Sequence, residues 1–447
     1  MIKIFLVLLI NVILFSKSID FKTALDLSIV NNKELKAKKL SINKANINFK
    51  EAQNYDYGSL VFNSTFTNTN HAGHIFGMKL GSREASFRDF GFTQQSEGID
   101  IQPHDLNFPN SRDNFENKIS YDVPLFTGYK LTHAKKMAKL QVLANKVLYD
   151  YNEKALGLEV LRAYNGAVSS KYFIKATQKA KNATSSFVNF AEALYKEGLV
   201  TKIDVKQAMV QDLNINAKVR DALNQFDLAM AYLRFLTNDK DISDVKDFEN
   251  LNVNHANLNS LQKTAIKNRD DFLWMKHNTS TLKSKISMEA SSDYPTIGAH
   301  VEYGYNNDTF DGFNPDHNFY LASIGLRYSI LDPTKKTDIQ KSKIAYKKAL
   351  YFYEHMKEGI KLEVEKNYLT LLTKNDILIE KLKAKELAQE VLEQSKQMYK
   401  NHLINMTNLL NQQAHSQKAN AEAIMSKYDS TIANAKLKLS LGLSLKE

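Results

Sequence analysis

The chain of 447 residues contains no cysteine. That absence excludes disulfides, thiolate metal sites and lipid attachment at an N-terminal cysteine. Proline is nearly as scarce, with only Pro103, Pro109, Pro124, Pro295, Pro315 and Pro333. None lies between 125 and 294, and none follows 333. Proline is kept out of helix interiors because it lacks the amide donor and clashes with the preceding turn, so these two tracts have room for very long helices. Long apolar runs are missing after residue 15, so no later segment reads as a membrane-spanning helix. The net charge of +11 comes mostly from lysine spread along the helical tracts. Arginine, the better residue for bidentate phosphate contacts, is sparse. A solvated helical surface is expected, and no nucleic-acid partner.

What is present begins at the N-terminus. Met1-Ile2-Lys3 carries one charge, Ile4 to Phe15 is apolar apart from Asn11, and Ser16-Lys17-Ser18 supplies small residues at the positions a signal peptidase reads. Residues 1–18 therefore read as a secretory signal peptide cleaved after Ser18. The apolar run is too short for an anchor, which needs roughly 20 residues. Any membrane crossing by the exported chain must use strands.

Tyr129 to Lys196 and Lys335 to Lys400 read as single helices, each roughly 100 Å long at 1.5 Å per residue. Heptad spacing follows each of them. Val219, Phe226 and Leu233 interleave with Ala222, Ala229 and Leu236 in the first case. In the second, Ala421, Tyr428 and Ala435 interleave with Met425, Ile432 and Leu439. These are coiled-coil seams whose small residues admit close approach. A second apolar row, Ala217, Leu228, Ala231 and Phe235, predicts that the first of these helices packs on two neighbours, as a wall of helices requires.

Between the helices, four segments alternate with period 2, near 59–69, 115–126, 296–306 and 319–331. About ten residues is the length that crosses a bilayer as a tilted strand. Ile119, Tyr121 and Val123 are expected to face lipid, and Glu116, Lys118, His300, Glu302 and Arg327 a water-filled lumen. Four strands leave two open edges, which hydrocarbon does not tolerate. A transmembrane barrel needs at least about eight strands, so the chain must oligomerise; three copies give twelve, and the residues alone leave two or four copies open.

The sequence also repeats at an offset of 204. Tyr195-Lys196-Glu197-Gly198-Leu199-Val200 with Asp204-Val205 matches Tyr399-Lys400-Asn401-His402-Leu403-Ile404 with Asn408-Leu409. Near the same offset, Val123-Pro124-Leu125-Phe126-Thr127-Gly128 lies against Tyr328-Ser329-Ile330-Leu331-Asp332-Pro333. The expected organisation is a first structural repeat over 19–237, a polar equatorial linker over 238–258, and a second repeat over 259–447. Each repeat reads strand, loop, strand, long helix, tip, returning helix.

With these pieces assembled, the chain resembles the TolC family of outer-membrane efflux proteins. The resemblance covers essentially all of the mature chain. It is carried by the opening helix from Thr23-Ala24-Leu25, the Val-Pro-Leu-Phe-x-Gly run at 123–128, Gly198-Leu199-Val200 with Asp204-Val205, and the closing Leu441-Gly442. It implies a mainly α protein with a membrane β-barrel: long antiparallel coiled-coil helices in an α-barrel, and four strands per chain completing a twelve-stranded barrel in a homotrimer. It further implies an exit duct in the outer membrane of a Gram-negative bacterium, without a cofactor, with a helical extension into the periplasm. A periplasmic adaptor, an inner-membrane pump and outer-membrane lipid are the implied partners.

The same resemblance places an entrance constriction at Asp204, Asn408 and Asn411, where Asn408 and Asn411 stand at positions that relatives fill with acids. Adaptor contact falls to Gly198, Leu199 and Val200 of the first turn and His402, Leu403 and Ile404 of the second. His402 replaces a glycine, and Ile404 stands where relatives can carry an arginine. Two rival classes are an enzyme and a structural protein of the envelope. An enzyme would need a carboxylate pair, a Ser/His constellation, a phosphate loop or a metal cluster, and none stands out. His71 and His74 sit in the 70–112 loop, which does not read as helix, together with Phe76, Phe87, Phe90 and Phe92; scattered loop histidines are the expectation, with no metal site. An envelope structural or adhesive coiled-coil protein explains the helices and the export, but not the paired strands in each half.

Overall fold

The computed structural model describes residues 17–249, 251, 257–310 and 314–446. Residues 1–16 of the expected signal peptide lie outside these. The chain divides into two compact units, 1–42 with 144–276 and 351–447, and 43–143 with 277–350.

In chain order the elements begin with β1 (Lys17–Ile19), α1 (Phe21–Asn31), α2 (Lys33–Asn54), β2 (Ser59–Thr69), α3 (Ala72–Gly81), α4 (His104–Asn107) and β3 (Arg112–Phe126). There follow α5 (Lys130–Lys196), α6 (Lys202–Thr237), β4 (Ile242–Val245), α7 (Leu258–Asn268) and α8 (Asp270–Ala290). The chain closes with β5 (Thr296–Asn307), β6 (Asn318–Arg327), α9 (Pro333–Lys400) and α10 (Met406–Ser440). α5 and α9 contain 67 and 68 residues, close to the lengths expected from the proline-free tracts. They end 204 residues apart, at Lys196 and Lys400, and the helices returning from them start 204 apart, at Lys202 and Met406.

Unit 1 buries three apolar clusters. The largest gathers Phe21 and Leu25 of α1, Leu161 and Tyr164 of α5, Met230 and Leu233 of α6, and Ile242 of β4. Tyr164 is fully buried; its ring lies 6.0 Å from that of Phe21, and its hydroxyl donates to the Asp247 carbonyl at 3.0 Å. Asp20 caps α1 by accepting from the Thr23 amide at 2.9 Å. Hydrogen bonds from Thr23, joined by Lys246, hold its carboxylate down at about 2.

Two expectations need correction here. The 238–258 segment is not merely a polar linker: β4 pairs in parallel with β1, Lys17 against Ile242 and Ile19 against Val245, and Phe248 and Leu251 join the α1 cluster. Strands of three and four residues are too short for alternation to reveal. The expected cleavage after Ser18 would leave Ile19 as the one residue of β1 on the exported chain. Among the described residues of the single chain, Leu228 and Phe235 of the second row on α6 stay exposed, as does Met425 of the α10 seam, which leaves that row open to a second neighbour. Finally, β6 stops at Arg327 and not at 331. Asp332 accepts from the Thr334 amide at 3.0 Å, with Pro333 opening α9, so the chain is already turning into the helix.

Unit 2 contains one antiparallel sheet in the order β2-β3-β5-β6, made from the four segments expected. Gly58 lets β2 begin. Its φ of +68° is left-handed, and a Cβ there would lie 1.9 Å from the Asp122 carbonyl oxygen.

Candidate functional site

Side chains of directly opposed residues share a face, so the register assigns both faces of the sheet. Phe62 pairs with Ile119, Ile119 with Tyr303 and Tyr303 with Tyr320. Leu60, Tyr121, Val301 and Ala322 form the neighbouring row. This face is apolar and open: Leu60, Phe62, Ile119, Val301, Tyr320 and Ile324 are between 44% and 80% exposed. Leaving such side chains in water forgoes roughly 1.5–3 kcal/mol each, and soluble monomers rarely expose patches of this extent.

The opposite face carries the charge. Glu116 pairs with Asn306, Lys118 with Gly304, Ser120 with Glu302, and Asp122 with His300. The Lys118 ammonium lies 3.3 Å from Glu116 and 3.4 Å from Glu302. His300 places Nδ1 2.8 Å from Asp122 and Nε2 3.6 Å from Glu302. Four of the five residues expected to line a lumen are thus joined in one ladder across β3 and β5. Arg327 shares their face but sits at the strand end opposite Thr296, apart from the ladder. Asp122 completes the ladder, though only its position on the polar side of β3 was legible; its partner lies 178 residues away. Gly304 is glycine for a local reason, because a Cβ there would lie 2.4 Å from the Phe319 ring, which crosses it towards Lys118.

The second expected site lies in unit 1, at the turns between the long helices and their returns. α5 ends in a glycine cap: Gly198 has φ +72°, and the Leu199 amide donates to the Leu194 carbonyl at 2.9 Å. α9 ends in the same way with His402 at φ +59°, and the Leu403 amide donates to the Met398 carbonyl at 2.9 Å. The turns divide the six expected contact residues. Leu199 and Leu403 point into water, 59% and 67% exposed, and Gly198 and His402 shape the turns. Val200 and Ile404 fold back on the tip core of Leu194, Val205, Tyr399, Met406 and Leu409.

Asp204 is committed to its own helix. Its carboxylate accepts from the Thr201 amide at 2.9 Å and the Thr201 hydroxyl at 2.7 Å, and Thr201 Oγ1 accepts from the Asp204 amide at 3.4 Å. This is a reciprocal capping box, whose signature Thr-x-x-Asp was readable at 201–204. At the second turn Asn405 takes the capping role, accepting from the Asn408 amide at 2.9 Å. Asn408 and Asn411 are both exposed. Thr407 of α10 donates to Gln207 of α6 at 3.1 Å, joining the two returning helices beside these residues. The Tyr399 hydroxyl is pushed up by burial and by the Asp204 charge.

A sequence profile of the outer membrane efflux protein family matches residues 24–239 and 261–443. The chain belongs to that family. No curated protein sequence matches it. Its fold is similar to a membrane protein from Pseudomonas aeruginosa, at 16% identity over 94% of this chain and 93% of that one, with a TM-score of 0.78. It is similar also to the outer membrane protein VceC of Vibrio cholerae, at 12% identity over 95% and 96% of the two chains, TM-score 0.77. The open state of the MtrE outer membrane channel of Neisseria gonorrhoeae matches at 14% identity over 95% and 89%, TM-score 0.75.

These matches agree with the TolC-type resemblance of the motifs and with a mainly helical chain carrying a small β part. The protein is an outer-membrane efflux duct, and the open apolar face of its sheet is a surface suited to lipid. Among the described residues no helix is long and apolar enough to cross a membrane, and no group of three or more His, Asp or Glu is placed to hold a metal ion. His71 does not stand in a loop as expected: it caps α3, its ring nitrogen accepting from the His74 amide at 3.4 Å. Three glycines in ten residues hid that helix from propensity. Ile75 is buried on its inner side.

Proposed function

We propose that three copies of this chain close a twelve-stranded barrel and act as the passive exit duct of a tripartite efflux or type I secretion system. A periplasmic adaptor and an inner-membrane pump would deliver the substrate, and residues 1–18 would be removed on export. The observation that carries this reading is the sheet itself. Among the described residues, its outer strands β2 and β6 have no partner on one edge, while the apolar face is open. Hydrocarbon does not tolerate unpaired strand edges. Because the four strands alternate in direction, β6 of one copy meets β2 of the next antiparallel, and the ring closes without a parallel seam. The polar ladder of Glu116, Lys118, His300 and Glu302 then lines the lumen, with Arg327 towards one end. Residue pairs such as Leu228 and Phe235, uncovered in the single chain, are available to a neighbouring copy's helices.

The native chain has no cysteine, so introduced pairs report alone. Cysteine at Val61 or Asn63 on β2, combined with cysteine at Leu321, Ser323 or Gly325 on β6, samples the possible registers on the polar face. Oxidation in outer membranes should give, for at least one pair, a ladder that ends at three chains. A ladder ending at two chains, or continuing past three, overturns the trimer.

A further inference from the structure

We infer that the 70–112 insertion between β2 and β3 is the size-determining constriction at the outer mouth of the duct, folded across the polar face of the sheet. This rests on the barrel reading, which makes that face the lumen. The insertion is no open loop. α3 ends at Gly81, the chain reverses through Arg83 with φ +60°, and the return leg is tied back by an ion pair between Lys79 and Asp89. The Phe76 and Phe90 rings meet edge to face at 5.0 Å, and Gly91 packs so tightly on Pro103 that a Cβ would come within 2.1 Å of it. Residues 72–103 are therefore tied into one folded piece.

The side on which that piece lies is fixed by what it touches. Gly81 rests on the Asn306 side chain, where a Cβ would stand 2.6 Å from Nδ2. Asn306 pairs with Glu116, so it belongs to the charged face. Arg112 lies two and four residues before Asn114 and Glu116, on the same face by the alternation of β3. It donates to the Ser82 hydroxyl at 3.2 Å, pairs with the Glu84 carboxylate, and stands 3.6 Å from Asp308. His317, immediately before β6, donates from Nδ1 to the Ser82 carbonyl at 2.6 Å. The turn over 81–84 is thus strapped across β3, β5 and the start of β6. Burial works against the Glu84 carboxylate, but the Arg112 and Ser82 hydrogen bonds more than offset it and hold it below a free glutamate, so the clasp stays ionic through the neutral range. No comparable insertion joins β5 to β6, so the constriction comes from the first repeat alone.

The test is single-channel conductance of purified trimers in planar bilayers. Replacing residues 72–110 by a short glycine-asparagine turn should raise conductance and admit larger neutral polymers. Arg112→Gln, which leaves the insertion in place and breaks its clasp, should add excursions to a higher conductance level. Normal trimers whose conductance is unchanged by both variants overturn the constriction. Should the replacement chain fail to assemble, Arg112→Gln decides alone, and steady wild-type current from it overturns the inference. Failure of the wild-type chain to form trimers strikes the barrel reading instead.

Discussion

Ile119→Lys places a charge at the centre of β3, between Phe62 and Tyr303 on the apolar face. Ile119 makes no side-chain hydrogen bond, unlike Tyr121, whose hydroxyl donates to the Tyr57 carbonyl at 2.7 Å, so its replacement isolates the effect of lipid. A lysine facing lipid near the bilayer midplane costs about 2–4 kcal/mol. Per chain that lowers assembly by a factor of roughly 30–1000, since each 1.4 kcal/mol is tenfold, and a trimer bears the cost three times. The paired control is Lys118→Gln one residue earlier, on the charged face that the barrel reading turns towards water. It removes contacts to Glu116 and Glu302 at 3.3 and 3.4 Å, which in an aqueous lumen are worth about 0–1 kcal/mol. The assay is the amount of trimer in isolated outer membranes, read as the band that migrates differently before and after boiling. Ile119→Lys should nearly abolish it and Lys118→Gln should leave it. Equal yields from the two variants refute the assignment of faces, because a one-residue slip would exchange them.

Two further outcomes are expected at the helical turns. Asp204→Asn keeps an acceptor for the Thr201 amide, so trimers should form normally; if the carboxylate also guards the entrance, cation preference should fall, most clearly at low salt where screening is weak. Unchanged preference would leave Asp204 as a helix cap only, and would turn attention to Glu197, an exposed carboxylate in the same turn. Leu199→Asp combined with Leu403→Asp changes the two apolar residues that the tip core leaves exposed, so export should stop while trimer yield holds; retained export removes them from the adaptor contact.

The sheet was legible because alternation has a period of 2 and both hairpins repeat it, so Glu116, Lys118, His300 and Glu302 could be assigned to one face from their spacing alone. Which of them touch was not legible. The contact of His300 with Asp122 depends on the register between β3 and β5, strands separated by α5, α6, α7 and α8, and no local pattern encodes that register. The long helices were legible through missing proline, and their ends through the 204-residue repeat. α3 was hidden by its glycines, and β1 with β4 by their brevity. Val200 and Ile404 read as surface from the turn sequence, since burial under Tyr399 and Met406 appears only when α5, α6, α9 and α10 are brought together.

The two tips show how far a duplicated backbone can outlast a duplicated sequence. The first turn has glycine where a left-handed residue is required; the second has His402 at φ +59° in its place. A side chain in that conformation costs roughly 1–2 kcal/mol, so something else must hold the second turn. The structure supplies it: the His402 amide donates to the Tyr399 carbonyl at 3.1 Å, Tyr399, Met406 and Leu409 are buried beneath, and Asn405 caps the next helix. The geometry of the turn is therefore preserved by packing where its glycine is lost. Charge has no such substitute. Asn405 reproduces the capping of Thr201, but Asn408 in the position of Asp204 brings no carboxylate, so the two turns match in backbone and differ in field. A carboxylate contribution to selection at this end can then come only from the first turn, where Asp204 and Glu197 stand beside Lys196 and Lys202; the second turn carries Lys400 and no acid.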